Sequence, residues 1–121
     1  MSTFSKELLS GSTNGRLIEV AATASPGTTI HTTGTSATII DEVWLYAVNS
    51  SAADVKLTIQ FGGTTSADDL IEFTVVAESG LYLIIPGLVL TGDGAAARTI
   101  TAFAATTNTI NIGGYVNRIT P

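Results

Sequence analysis

Between Asp54 and Val75 the chain reads DVKLTIQFGGTTSADDLIEFTV, which sets Asp68, Asp69 and Glu72 close together beside Gly62 and Gly63. Three carboxylates so near one another invite a divalent cation or an acid–base pair. A calcium site needs about six to eight oxygens, gathered from several segments. The spaced acids and central glycine of an EF-hand loop are not present. The stretch instead separates two patterned apolar runs, so it reads as a hairpin loop. Gly62 and Gly63 supply unusual backbone angles there, and Asp68 and Asp69 are turn formers. Weak cation binding is the alternative use of the same loop.

The remaining polar residues offer less. Asp41 and Glu42 are adjacent, and Asp93 lies in the glycine turn TGDG. Paired carboxylates serve glycosidases, but only when folding sets them across a sugar, and nothing in this spacing does so. His31 is the single histidine. A serine triad needs it in contact with a nucleophile and an acid, and no G-x-S-x-G elbow accompanies it. It reads as an exposed or interface residue of a strand. Cysteine is absent, which excludes disulfides and thiolate zinc sites. One histidine leaves little for a transition metal. The glycines of TGDGAAA and IGGY match no phosphate-binding loop. The expectation is a non-enzymatic protein with no cofactor and no metal. Trp44, Tyr46, Tyr82 and Tyr115 could stack on a sugar, Trp44 and Tyr46 sharing one strand face, or serve as core and interface packing.

The elements that carry these residues are strands. In DVKLTIQF, Val55, Leu57, Ile59 and Phe61 share one face, while Asp54, Lys56, Thr58 and Gln60 share the other. Such alternation marks a half-buried strand. LIEFTVVA repeats it and, apolar on both faces in its distal half, is expected centrally in a sheet. In IIDEVWLYAVNS both faces are apolar, Val43, Leu45 and Ala47 against Trp44, Tyr46 and Val48. That strand requires cover on both sides. RLIEVAATA, TTIHTT, GLYLII with LVL beyond a Pro86–Gly87 break, RTITAFAA and NTINIGGYVNRIT complete the set. Threonine, isoleucine and valine dominate and turn residues recur between the runs. The fold class is all-β: an antiparallel β-sandwich of about eight strands, jelly-roll-like. One domain spans residues 16–121. Residues 1–15 form a short flexible N-terminal arm through SGSTNG, and its removal is expected to leave the fold intact.

Composition narrows the function classes. Charged residues are 12% of the chain, about half the usual share. Hydrophobic residues reach 45%, and the mean hydropathy is +0.40. A surface so poor in charge is weakly defended against association. It suits a protein covered by copies of itself or by a partner. The net charge of −5 and five scattered basic residues disfavour nucleic-acid binding. No apolar run approaches the roughly 20 residues of a membrane helix, and no exported leader is evident. A soluble, non-secreted chain without membrane or nucleic-acid partners is expected. Phe4, Leu8 and Leu9 on the arm, with Trp44, Tyr46 and Val48, are the candidate interface.

The run IIDEVWLYAVNSSAADVKLTIQFGGTTSADDLIEFTV, continuing to GLYLIIPGLVL and INIGGYVNRIT, resembles small β-sandwich virion proteins of tailed bacteriophages. More narrowly it is similar to capsid cement, or decoration, proteins. The resemblance covers residues 16–120 and rests on phrases such as DEVWLYAVN and GYVNRIT. It implies a homotrimer on the exterior of an icosahedral virion, made in the host cytoplasm. Its partner would be the major capsid protein, whose capsomers it bridges against internal DNA pressure. No residue's role carries over, since such proteins work through surfaces. A carbohydrate- or receptor-binding module, and a phage tail, fibre or connector protein, are the other classes with this texture.

Overall fold

Alternation in the sequence becomes alternation of burial. Val43, Leu45 and Ala47 are wholly inside, while Glu42, Trp44, Tyr46 and Val48 between them are half-buried. The computed structural model describes all 121 residues. It contains nine strands: β1 (Thr3–Leu8), β2 (Ile18–Glu19), β3 (Thr28–Thr32), β4 (Ile40–Asn49), β5 (Val55–Phe61), β6 (Leu70–Val75), β7 (Tyr82–Leu90), β8 (Thr99–Ala104) and β9 (Ile110–Thr120). A five-stranded sheet runs β1-β9-β4-β7, with the short β2 also pairing β9. A four-stranded sheet runs β3-β8-β5-β6. Every pairing is antiparallel. The chain is an antiparallel β-sandwich.

The pairings nest. β5 meets β6, β4 meets β7, β3 meets β8 and β2 meets β9. The chain is thus one long antiparallel ribbon folded at the turn between β5 and β6. Rolling that ribbon brings β4 against β9 and β5 against β8, which closes the jelly-roll arrangement of two sheets. Ile30, Leu45, Leu57, Ile59, Ile85, Ile100, Ile110 and Ile112 fill the space between them. Their β-branched shapes suit a pleated, close-packed interior. At Gly114, φ is +147° and an added Cβ would collide with the Trp44 carbonyl oxygen. Glycine there lets β9 approach β4.

Three expectations are corrected. The segment expected as a loose arm contains β1, paired residue for residue with Tyr115–Thr120. Its side chains are mostly exposed, so backbone pairing holds it and no apolar alternation announces it. Leu9, just beyond, is 2% exposed and belongs to the core. Deleting residues 1–15 would therefore remove a strand and a core side chain, and the fold is not expected to survive it unchanged. Second, β7 runs unbroken through Pro86 and Gly87. It is an edge strand, where the missing proline N–H costs no ladder bond, and the register shifts opposite Val43 to Tyr46 absorb the distortion. Third, β6 is an edge strand and not a central one. It ends at Val75, leaving Val76 exposed.

Candidate functional site

The outer face of the five-stranded sheet is assembled from side chains that the register sets in rows. Phe4, Ile119 and Ile40 form one row, Lys6, Asn117 and Glu42 the next, and Leu8, Tyr115 and Trp44 a third. Beyond β4, Val89 lies opposite Glu42 and Leu83 opposite Tyr46. Phe4, Leu8, Leu83 and Val89 are all exposed. The rings of Trp44 and Tyr115 are 6.3 Å apart and only 14° from parallel. The Lys6 ammonium stands 4.7 Å from the centre of the Tyr115 ring. Such ring–ring and cation–ring contacts contribute about 0.5–1.5 kcal/mol each. Trp44 donates its indole N–H to Glu42 Oε1 at 2.8 Å, and Asn117 Nδ2 donates to the same oxygen at 3.0 Å. Those two bonds hold the Glu42 carboxyl below its ordinary pKa, Trp44 contributing more than Asn117. Two glycines make this packing possible. A Cβ at Gly87 would press on the Trp44 ring at 3.0 Å, and one at Gly113 would meet a Leu17 methyl at 2.5 Å.

Across the sandwich, the outer face of the four-stranded sheet is polar. Thr58, Gln60 and Thr101 point away from the core, yet all three are buried. The segment before β3 covers Gln60. The Gly27 N–H donates to Gln60 Oε1 at 3.1 Å, Gln60 Nε2 donates to Ser25 Oγ at 2.9 Å, and Thr101 Oγ1 donates to Gln60 Oε1 at 2.6 Å. No buried side-chain nitrogen or oxygen lacks a partner. Lys56 and Glu72 form an exposed ion pair at 2.7 Å beside this covered patch.

A buried ionic cluster joins the sheets. Asp41 on β4 accepts from Arg118 Nε at 2.8 Å, from Arg118 Nη2 at 3.0 Å and from His31 Nε2 at 2.8 Å. His31 is therefore no exposed strand residue: it is 1% exposed. The Ser10 N–H donates to His31 Nδ1 at 3.0 Å, which assigns the proton to Nε2. Serine, histidine and aspartate thus lie in sequence through space, but Ser10 meets the imidazole with its backbone. Its Oγ instead accepts the Thr32 N–H at 2.7 Å. Burial pushes the Asp41 carboxyl up; hydrogen bonds from Arg118 and then His31, with the charge of Arg118, outweigh this and hold its pKa below the ordinary value. The same contact with Asp41 raises the pKa of Arg118. The cluster fixes β3, β4, β9 and the residue after Leu9 in one place.

The Asp68–Glu72 group is dispersed by the fold. Asp69 turns back to accept the Thr65 N–H at 2.9 Å, Asp68 is exposed, and Glu72 is held by Lys56. Asp93 accepts the N–H groups of Ala96 and Ala95 within its own turn, which lowers its pKa. No three metal-ligating side chains converge, and no pocket opens in the surface. Of the candidate interface residues, Phe4, Leu8, Trp44, Tyr46 and Val48 share the outer face of the five-stranded sheet. Leu9 does not, being interior. Tyr82 leaves the aromatic set and packs on Phe73, 5.8 Å away, at the margin of the core. Lys6, Glu42, Leu83, Val89, Tyr115 and Asn117 join the face. Their alternation was visible, but which strands lie side by side was not. Comparison of the chain with protein-family models and with curated proteins yields no match.

Proposed function

We propose that this chain is a structural virion protein of the capsid-cement kind, attached to the outside of an icosahedral phage head and bridging neighbouring capsomers of the major capsid protein. The observation that carries the reading is the outer face of the five-stranded sheet. It is broad, carries few charges, and leaves Phe4, Leu8, Leu83 and Val89 exposed. A cement needs many modest contacts repeated by symmetry, so that affinity comes from their number. Apolar side chains on a rigid sheet supply such contacts without a specialised residue. A threefold assembly, as the resemblance implies, and a twofold one would both multiply them. The test is cosedimentation of the purified chain with tailed-phage heads stripped of their outer proteins. Binding that is saturable, raises the temperature of head rupture and is lost in a Leu83→Lys, Val89→Lys variant is the expected result. Wild-type chain left wholly in the supernatant would end the proposal.

A second reading, a carbohydrate-binding module, is favoured by one feature. The near-parallel Trp44 and Tyr115 rings are flanked by Glu42, Asn117 and Lys6, groups suited to sugar hydroxyls. Glycan-array binding that disappears with Trp44→Ala would favour it over the cement reading.

A further inference from the structure

The outer face of the five-stranded sheet carries its central charges in a single row, and their placement bears on what covers it. Lys6 on β1 and Glu42 on β4 flank Asn117 on β9, about 10 Å apart across two strand spacings. The rows on either side are apolar. Glu42 Oε1 takes both bonds from within the chain, leaving Oε2 free, and Lys6 has no ion-pair partner. Glu19, beside Asn111, lies at the end of the face.

We infer that this face binds a second copy of itself about a twofold axis running parallel to β9, above its outer surface. Rotation about that axis keeps every row in place and exchanges the β1 side for the β4 side. Lys6 then stands over the partner's Glu42, and Glu42 over the partner's Lys6. Leu8 covers the partner's Trp44, Phe4 covers the partner's Ile40, and Tyr46 meets the partner's Leu17 beside Gly113. Other axes fail on charge. A twofold along the row sets Lys6 over the partner's Lys6 and Glu42 over the partner's Glu42, which repels. A twofold between β9 and β4 leaves both charges unpaired. A threefold rotation cannot make one face meet itself, since self-complementary contact requires a twofold. Stacked sheets rotate by about 30°, which loosens the corners and spares the central rows. The three strand positions that face each other, about 4.8 Å apart and roughly 30 Å long, present on the order of 430 Å² of flat face, with β7 left outside the contact. That is about half of the ~800 Å² each partner buries in a standard interface, the size of a weak, reversible dimer. The contact is one the chain makes with itself in solution; because it covers the β1-β9-β4 part of the face, a shell would meet the strip on β7 or displace the second copy.

Sedimentation velocity over a concentration series tests it, using wild type, Lys6→Glu, Glu42→Lys and the double variant, each checked by thermal melting. Wild type should show a monomer–dimer equilibrium. Each single variant turns two attractions into two repulsions and should weaken the dimer about tenfold or more. The double variant restores opposite charges at both contacts and should return close to wild type. Lys6→Glu removes no hydrogen bond, so it alone decides if Glu42→Lys disturbs the fold. A wild-type monomer at every concentration, a trimer without dimer, an unmoved Lys6→Glu, or a double variant no tighter than the singles would each overturn the inference.

Discussion

Gln60 and Trp44 occupy corresponding places, each near the middle of its sheet with its side chain turned away from the core. Gln60 is nonetheless buried, because the Ser25–Gly27 segment lies over it and bonds to it. Trp44 is half-buried by the neighbours beside it, Tyr115 against its ring and Glu42 on its indole N–H. The chain has therefore covered the centre of its polar outer face with a loop, while Phe4, Leu8, Leu83 and Val89 stay exposed on the apolar one. A monomer optimised for life alone would cover the apolar face first, since that is where burial stabilises most. The difference teaches that the two outer faces are finished differently: polar side chains at the centre of one are bonded to a loop of the chain, while the other keeps apolar side chains at its surface.

The sharpest test lies beneath both faces. Asp41→Ala leaves His31 and part of Arg118 without their acceptor, and should cost about 3–5 kcal/mol, read from the denaturant midpoint. In the wild type, the depressed Asp41 pKa means this stability is present above the ordinary aspartate range and is lost as pH falls through the folded-state value. Urea midpoints should thus hold from neutrality to about pH 4 and drop below it; midpoints unchanged in acid would contradict the strut. Gln60→Ala should come next, at about 2 kcal/mol, with faster amide exchange at Gly27. If it proves silent, the polar face is not covered in the sense argued. On the apolar face, Leu83→Ser with Val89→Ser should change stability by no more than about 0.5 kcal/mol, yet reduce binding of an apolar dye. A large stability loss there would erase the contrast. The smallest effect belongs to Glu72→Gln, whose exposed pair with Lys56 should barely move the melting temperature.

What could be read from the sequence followed the strength of local patterning. β5 alternates apolar with polar residues in sequence, β4 is apolar on both faces and alternates buried with half-buried side chains, and the sandwich class follows from them. β1 escaped notice because TFSKEL buries almost nothing; its reason to be a strand is the unpaired edge of β9, more than a hundred residues away. Pro86 looked like a terminator because sequence does not show that β7 is an edge. His31 looked exposed among threonines because its partners, Asp41 and Arg118, come from two other strands. The apolar face was half legible: Trp44, Tyr46 and Val48 announce themselves by spacing, whereas Tyr115 and Asn117 join them only through register.

The nested pairing has a kinetic side. β5 and β6 are joined by a short turn and can meet at once, while each pair outside them must close a longer loop. Assembly should then proceed outward like a zip, slowly for a chain of this size. β1 can dock only when β9 is already in place, so it should be the last strand to acquire protection against solvent exchange and the first to lose it.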